Sequence, residues 1–190
     1  MTELSLDAST TALVVIDLQK GIAGRPLQPH TAQEVVKNAA LLVQAFRKKG
    51  LPVFLVHVVN TPATTLNIES DTSFGRPAVL PPDWSAFVPE LTPTPSDIVI
   101  AKKQWRAFYG TELELQLRRR GMKTIVLCGI STEYGVESTA RFAYEMGFSQ
   151  VFAEDAMSSS SAEAHHGAVE YIFRRMGRVR STREILAAIG

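Results

Sequence analysis

Short apolar runs recur along the whole chain and are separated by amphipathic segments. Each run is rich in Val and Ile, and such continuous apolar stretches are typical of strands buried on both faces of a parallel sheet. Five runs predict strands over residues 12–16, 52–59, 97–101, 124–128 and 150–153. A sixth, shorter strand is expected at the edge of the sheet, over residues 178–180.

The intervals between these runs show helical periodicity. Four Ser/Thr-x-x-Glu sequences stand before such patterns and are predicted to be capping boxes, in which hydroxyl and carboxylate accept from otherwise unpaired helix N–H groups. They begin at Thr31, Thr111, Ser160 and Ser181. One further helix is predicted over residues 132–146.

Alternating strands and helices predict an α/β fold of three layers, with a mostly parallel, six-stranded sheet between two layers of helices. Residues 1–190 are expected to form one domain. The exception to the pattern is segment 60–96, which holds seven of the ten prolines. A loop of this length is a lid, a partner contact or disordered. Phe74, Trp84 and Phe87 indicate that it packs on its own domain, on a substrate or on a second subunit.

Composition and charge exclude several classes of function. The net charge is +1, with 20 basic and 19 acidic residues, which predicts neither a nucleic acid nor a membrane as partner. The densest basic cluster, residues 118–120, is expected to be the solvated last turn of a helix. The one cysteine, Cys128, excludes an intrachain disulfide and favours a reducing compartment. With no apolar stretch near the roughly 20 residues that span a bilayer and no targeting segment, the cytoplasm is the expected location.

Polar residues directly after the apolar runs are the candidates for chemistry, because ligands bind at the carboxyl ends of the strands in such sheets. Asp17 follows the first run, and its burial would require a partner or a role as a turn carboxylate. Lys102 follows the third, and it either holds that carboxylate ionised or is a solvated lysine like Lys103. The turn 129–136 offers backbone N–H groups to an anion, or is an ordinary strand-to-helix turn. His57, inside the second run, is expected to be a hydrogen-bonded core residue.

Four stretches together resemble one known family. They are TALVVIDLQKGI, KKQWRAFYGTELELQLRRRG, TIVLCGISTEYGVESTARFAYEMGF and VFAEDAMSS, and they cover nearly the whole chain in order. The first resembles the strand that carries the catalytic aspartate of isochorismatase-like hydrolases, also called cysteine hydrolases. The second resembles that family's K-x-x-x-x-x-F segment, and the third its hallmark G-x-x-T-x-x-C-V-x-x-T-A-R.

This resemblance implies a hydrolase with Asp17 and Lys102 as catalytic residues, Lys102 being six positions before Phe108. It also implies that Gly135 stands where the family has its cysteine nucleophile. The remaining cysteine, Cys128, lies seven positions earlier inside an apolar run and is expected to be a core residue.

Further implications of the resemblance concern the surroundings of the site. It implies a non-proline cis peptide at Ile130–Ser131 that aims N–H groups at an oxyanion, and Gln19, Phe108 and Tyr134 are candidates for the substrate pocket. No cofactor is expected, and no metal either, because the second strand leads into VHVVNTPATT without the ligands of nicotinamidases. His165 and His166 are expected to be structural or solvated. Family members suggest a homo-oligomer, with segment 60–96 as a candidate contact.

The expected function is therefore a cysteine-independent hydrolase of a small molecule. Isochorismatases proper are similar in lacking the cysteine: they cleave a vinyl ether, with the aspartate as general acid. The alternative is a non-catalytic small-molecule-binding or interaction protein that kept the fold after losing the cysteine. A nucleotide-binding module is disfavoured, because neither G-x-x-x-x-G-K-[ST] nor G-x-G-x-x-G occurs in the chain.

Overall fold

The computed structural model describes residues 4–61, 63–66, 68–72 and 80–190. Within these ranges six strands form one sheet, and every neighbouring pair of them is parallel. The strands are β1 (Thr11–Ile16), β2 (Val53–Val58), β3 (Ile98–Lys102), β4 (Thr124–Ile130), β5 (Ser149–Ser158) and β6 (Arg178–Arg180). Their order across the sheet is β3-β2-β1-β4-β5-β6, which confirms the predicted six-stranded parallel sheet.

Helices cover both faces of this sheet. They are α1 (Lys20–Ala23), α2 (Ala32–Lys48), α3 (Leu113–Arg119), α4 (Glu137–Glu145), α5 (Ala162–Gly167), α6 (Arg174–Met176) and α7 (Thr182–Ile189). A hydrophobic core lies on each face of the sheet, and successive side chains of β1 point into the two cores in turn, as the pleat of a strand requires. Leu13 and Val15 pack with α2 and α7, whereas Val14 and Ile16 pack with α3 and α4. The three-layer α/β/α prediction is thus confirmed. Among the described residues, no helix is long and apolar enough to cross a lipid bilayer.

Two of the four predicted capping boxes are present. The Thr31 hydroxyl accepts from the Glu34 N–H at the start of α2, and the Glu34 carboxylate accepts from the Thr31 N–H at 2.8 Å. Ser181 and Glu184 form the same reciprocal pair at the start of α7. These boxes were predictable because both partners lie within one turn of helix.

The other two boxes were wrong in detail. Helix α3 begins after Glu112, and the Thr111 hydroxyl accepts from the Leu113 N–H at 3.2 Å and donates to the Ala107 carbonyl without forming a capping box. Helix α5 is capped by Ser161, whose hydroxyl accepts from the Ala164 N–H, and Ser160 does not have that role. In both cases the spacing fitted, but the N-cap residue is one position later than predicted.

Two elements differ in length from their predictions. Strand β5 continues to Ser158 instead of ending at residue 153, and its pairing with β4 changes register between Leu127 and Gly129. The helix predicted over residues 132–146 begins with a π-helical segment, Thr132–Val136, before α4 follows. Arg118 and Arg119 end α3, as expected of a solvated last turn.

The later part of segment 60–96, from residue 84 on, packs against the rest of the fold. Trp84, Val88 and Leu91 are buried there, and Val88 and Leu91 belong to the core on the α2 face. The Phe87 ring is stacked on His57 with centroids 4.7 Å apart. Phe74, the remaining aromatic residue of that prediction, lies outside the described residues.

Candidate active site

The candidate site lies at the carboxyl ends of the central strands. Asp17 directly follows β1, Lys102 ends β3, and the turn that holds Gly135 follows β4. Strand β2 separates β3 from β1, so the long lysine side chain spans one strand to reach the aspartate. This is the edge at which ligands bind in open α/β sheets.

Asp17 turns the chain away from β1 in a left-handed conformation. Its φ is +55°, the one positive value of a non-glycine residue within the described chain. The Asp17 N–H donates to the carbonyl of Val56 at 2.9 Å, and the Asp17 carbonyl accepts from the Gln19 N–H at 2.8 Å. Such a conformation costs about 1–2 kcal/mol and is tolerated best by Asn and Asp among side-chain-bearing residues. The backbone is therefore strained where the carboxylate is presented.

Asp17 and Lys102 form a buried ion pair. Asp17 Oδ2 lies 2.7 Å from Lys102 Nζ, and the two residues are 4% and 1% exposed. Lys102 Nζ also donates to the carbonyl of Trp105. The second carboxylate oxygen, Asp17 Oδ1, is buried and has no hydrogen-bond partner among the described residues. One oxygen of the carboxyl group is thus held by the lysine, and the other has no partner from the protein.

Burial sets the proton affinity of this carboxyl group. Desolvation raises the pKa of Asp17 from 3.8 to about 6, although the charge and the hydrogen bond of Lys102 act in the opposite direction. The group is therefore mostly ionised at neutral pH, and its protonated form is still readily populated. A carboxyl group with a pKa near the working pH is suited to both giving and taking a proton.

Gly135 lies directly against this pair. A Cβ atom at position 135 would be 3.1 Å from Asp17 Oδ2, 3.4 Å from Lys102 Nζ and 3.0 Å from Ile16 Cγ2. The three positions singled out by the family resemblance are therefore within contact distance of one another. Any side chain at position 135 would enter the space beside the carboxylate.

The turn after β4 contains the expected cis peptide between Ile130 and Ser131. Two of its amides are already used, because the N–H groups of Tyr134 and Val136 both donate to the Ser131 carbonyl, at 3.3 and 3.2 Å. An oxyanion role for the turn therefore depends on its other amides. The assignment of Ile130 and Ser131 to that role stays a prediction.

The three candidates for the substrate pocket lie in different environments. The Gln19 side chain is buried, donates to the carbonyls of Val58 and Trp84 and accepts from the Val58 N–H, so it joins β1, β2 and segment 60–96. Phe108 is buried in the core beside Phe142. Tyr134 is half-buried, and its ring contacts the indole of Trp105. Their contacts with a substrate stay predictions.

Trp105 was not anticipated from the sequence. Its ring centroid lies 4.9 Å from that of Tyr134, and the residue is about half exposed. Its backbone carbonyl accepts a hydrogen bond from Lys102 Nζ. Its position three residues after Lys102 indicated that it lies near the lysine. No sequence pattern indicated that its ring would contact Tyr134. Of the two rings, that of Trp105 belongs to the residue whose carbonyl contacts the buried lysine.

Cys128 is a core residue, as expected, whereas His57 is hydrogen-bonded as expected but only partly buried. Cys128 is fully buried in β4, and desolvation raises the pKa of its thiol far above the ordinary value, which disfavours the reactive thiolate. His57 Nδ1 lies 2.8 Å from the carbonyl oxygen of Ser85. Neither residue was expected to take part in chemistry.

A second group of polar side chains lies behind the turn. Thr132 Oγ1 is 2.9 Å from His165 Nδ1, and His165 Nε2 is 3.1 Å from Glu154 Oε1. The same carboxylate oxygen is 2.9 Å from His30 Nε2. Hydrogen bonds from His165 and His30 lower the pKa of Glu154 to about 2. The sequence did not indicate this cluster, because His30 and Glu154 are 124 residues apart.

Comparisons with known proteins show the family to which this chain is similar. The model of the isochorismatase domain matches residues 11–184. The isochorismatase family protein YecD of Escherichia coli O157:H7 is 54% identical over 187 residues, which cover 98% of this chain and all of that protein.

Two further proteins extend the comparison. The solved structure of an isochorismatase family protein from Burkholderia thailandensis is similar with a TM-score of 0.93 and 44% identity, over 99% of both chains. A protein of Pseudomonas chlororaphis named "Probable isochorismatase" is 28% identical over 98% of this chain and 89% of its own length. The similarity extends over nearly the full length in each case.

Proposed function

The chain belongs to the isochorismatase family and is a hydrolase, and we propose that it hydrolyses a small molecule without a cysteine nucleophile. The observation that carries this proposal is the buried Asp17–Lys102 pair with Gly135 against it. The one thiol of the chain, Cys128, is buried inside β4. Asp17 then acts as the proton donor and acceptor, and Lys102 positions it.

Hydrolysis of an enol ether suits these groups. The protonated Asp17 carboxyl gives its proton to the terminal carbon of the double bond, and the adjacent carbon becomes an oxocarbenium ion. Water adds to that carbon and its surplus proton returns to the Asp17 carboxylate, after which the hemiketal collapses to a carbonyl compound and an alcohol. Each step needs a placed proton donor or acceptor and a water molecule, and none needs a side-chain nucleophile.

Lys102 has two tasks in this mechanism. Its ammonium group stays beside Asp17 Oδ2 at 2.7 Å, which fixes the rotation of the carboxyl group and leaves Oδ1 to carry the proton. It also balances the negative charge that remains when the proton has left. The amides of the turn are proposed to bind a carbonyl or carboxylate oxygen of the substrate.

The pair is better explained by function than by stability. Burying two charges costs several kcal/mol per ion, and apolar replacements of such pairs are often neutral or stabilising. Small-molecule binding without turnover, the alternative, needs neither a carboxyl group with a raised pKa nor an unpartnered oxygen beside a lysine. The "Probable isochorismatase" among the relatives supports testing enol ethers first.

The decisive experiment is a substrate screen with matched variants. Enol ethers, amides, ureides and imides are assayed with the wild type, Asp17→Asn, Lys102→Met and Lys103→Ala. We expect Asp17→Asn to lower kcat/KM by about 10²–10⁴-fold, the usual contribution of a general acid–base group. Lys102→Met should also lose activity, whereas Lys103, an exposed neighbouring lysine, should be dispensable.

Thermal unfolding of each variant separates lost chemistry from lost folding. Both Asp17→Asn and Lys102→Met keep the side-chain volume close to that of the wild type. Full activity of both variants on an identified substrate would refute the proposal. Binding without turnover of any compound class, unchanged in Asp17→Asn, would support the non-catalytic alternative.

A further inference from the structure

We propose that His30, Glu154 and His165 form a binding site for a divalent transition-metal ion such as Zn²⁺, separate from the Asp17–Lys102 pair. These three side chains offer two imidazole nitrogens and one carboxylate oxygen, all within 4.8 Å of one another. They come from the chain before α2, from β5 and from α5. The expectation from the sequence was that no metal binds, and that expectation considered only the segment after β2.

The spacing of the donor atoms suits one shared ion. Glu154 Oε1 lies 2.9 Å from His30 Nε2 and 3.1 Å from His165 Nε2. Ligand atoms around a tetrahedral zinc ion are about 3.3–3.6 Å apart, given Zn–N and Zn–O distances of about 2.0–2.2 Å, so these donors need to separate by only a few tenths of an ångström to hold an ion. Both Nε2 atoms converge on the same carboxylate oxygen, and the two rings meet edge to face with centroids 5.7 Å apart. An ion binds to the Nε2 atom of each neutral imidazole, and the ring proton is then carried by Nδ1.

The ligand chemistry favours a borderline transition metal. Imidazole suits Zn²⁺, Co²⁺ and Ni²⁺, whereas Ca²⁺ and Mg²⁺ take ligand sets made of oxygen. Two nitrogens and one oxygen leave at least one coordination position for water or another small ligand.

Thr132 supports the inner ligand. When His165 binds an ion through Nε2, its Nδ1 carries the proton and donates to Thr132 Oγ1, which lies 2.9 Å away. Metal-bound histidines usually donate their other N–H in this way, and the contact fixes the ring orientation and the tautomer. Both Thr132 and His165 are buried, at 0% and 3% exposure, so the inner part of the site is held rigidly.

The outer part of the site is open to solvent. The His30 and Glu154 side chains are 28% and 33% exposed. Glu154 and His165 also line a cleft of about 550 Å³ between α5, β6 and the start of α7. An ion can therefore reach the three donors without unfolding of the chain, and its remaining position faces this cleft.

Metal titration of the full chain tests the site directly. Protein without an affinity tag is treated with a chelator, transferred to chelator-free buffer and titrated with Zn²⁺ against a chromophoric competitor. We expect the wild type to bind about one equivalent, as a three-ligand site does. His30→Ala and Glu154→Gln should each weaken binding by about 100-fold or more, because each loses one of three ligands.

His166→Ala is the matched control. His166 is exposed, neighbours His165 and lines the same cleft, but it is not one of the three donors. Its variant should bind Zn²⁺ like the wild type, and Co²⁺ added to both should give visible absorption bands that His30→Ala lacks. Thermal unfolding without metal checks that the variants fold, and Glu154→Gln keeps the size of the side chain. Equal binding by wild type, His30→Ala and Glu154→Gln, or no binding by the wild type, would overturn the proposal and leave a hydrogen-bonded cluster only.

Discussion

At the scale of the residue, we propose that position 135 decides which nucleophile the site can offer. Because Gly135 has no side chain, the Asp17 carboxylate and the Lys102 ammonium group face its backbone. A Cβ atom added at position 135 would lie 3.1 Å from the carboxylate and 3.4 Å from the ammonium nitrogen. A substrate or a water molecule can then approach the carboxyl group from the side where the family's cysteine is expected. This interpretation makes a prediction about a thiol placed there.

Gly135→Cys is expected to create a reactive thiol. The neighbouring ammonium group stabilises a thiolate, and the carboxylate can accept the thiol proton. Neighbouring side chains need shift only slightly, because the nearest contacts of the new Cβ would be 3.0–3.4 Å. The native variant should gain one carbamidomethyl group from iodoacetamide at neutral pH, measured by mass spectrometry.

The controls use the protein's own cysteine. Wild-type protein should stay unmodified while folded, because Cys128 is buried, and should react once when unfolded. The double variant Gly135→Cys/Asp17→Asn should react more slowly than Gly135→Cys alone. A folded Gly135→Cys variant as inert as the wild type would contradict the placement of position 135 in the site.

The raised pKa of Asp17 predicts the pH dependence of turnover. If the protonated carboxyl group is the general acid, kcat/KM should be constant below pH 6 and fall about tenfold per pH unit above it, because burial raises this pKa to about 6. If the carboxylate acts as a base instead, kcat/KM should rise with pH through the same value. Measuring kcat/KM from pH 4.5 to 8.5 shows whether it falls or rises through pH 6.

The residual activity of Asp17→Asn provides the reference for this profile. An asparagine does not titrate in this range, so the limb near pH 6 should be missing from that variant. A limb with the same midpoint in both proteins would assign the titration to another group and contradict the role of Asp17.

At the scale of the element, the end of β4 depends on one glycine. Gly129 has a φ of +125°, and a Cβ atom there would lie 2.0 Å from the carbonyl oxygen of Ile16 in β1. Only a glycine allows the two strands to approach this closely at the point where both lead into the candidate site. Strand β4 then continues to Ile130 and the cis peptide.

Gly129→Ala should therefore be strongly destabilising. We expect a loss of about 3 kcal/mol or more in the free energy of unfolding, since the methyl group collides with backbone and the φ value is unfavourable. Gly50→Ala is the control, because Gly50 also has a positive φ, +67°, but nothing lies within 4 Å of its added Cβ. That variant should lose only about 1–2 kcal/mol. Denaturation in guanidinium chloride measures both, and similar losses would contradict the steric argument.

At the scale of the whole molecule, the sheet order brings distant segments to one edge. Strands β1 and β4 are neighbours in the middle of the sheet, and β3 lies two positions away from β1. Part of segment 60–96 returns to this edge, where the Trp84 and Ala86 carbonyls accept from the N–H groups of Gly21 and Lys20. The single domain over residues 1–190 and the homo-oligomer stay predictions.

Several features were predictable from short stretches of sequence. Continuous apolar runs located β1, β2, β3 and β4 to within two residues at each end. In β1, β2 and β4 both faces are largely buried, so no polar side interrupts the run. The capping boxes at Thr31 and Ser181 were predictable because their partners are three residues apart. The motif around residues 129–141 indicates the family, the turn and position 135 from the sequence alone.

Other features needed the tertiary structure, because they depend on contacts between distant residues. The length of β5 depends on its pairing with β4, which extends to Ser158. The pKa of Asp17 results from burial, which a sequence pattern does not quantify. The His30, Glu154 and His165 cluster exists because α5 packs beside β5 and the chain before α2. The sequence by itself thus determined the elements, the family and the candidate chemistry, whereas only the folded chain decided which side chains share a site and what proton affinity they have.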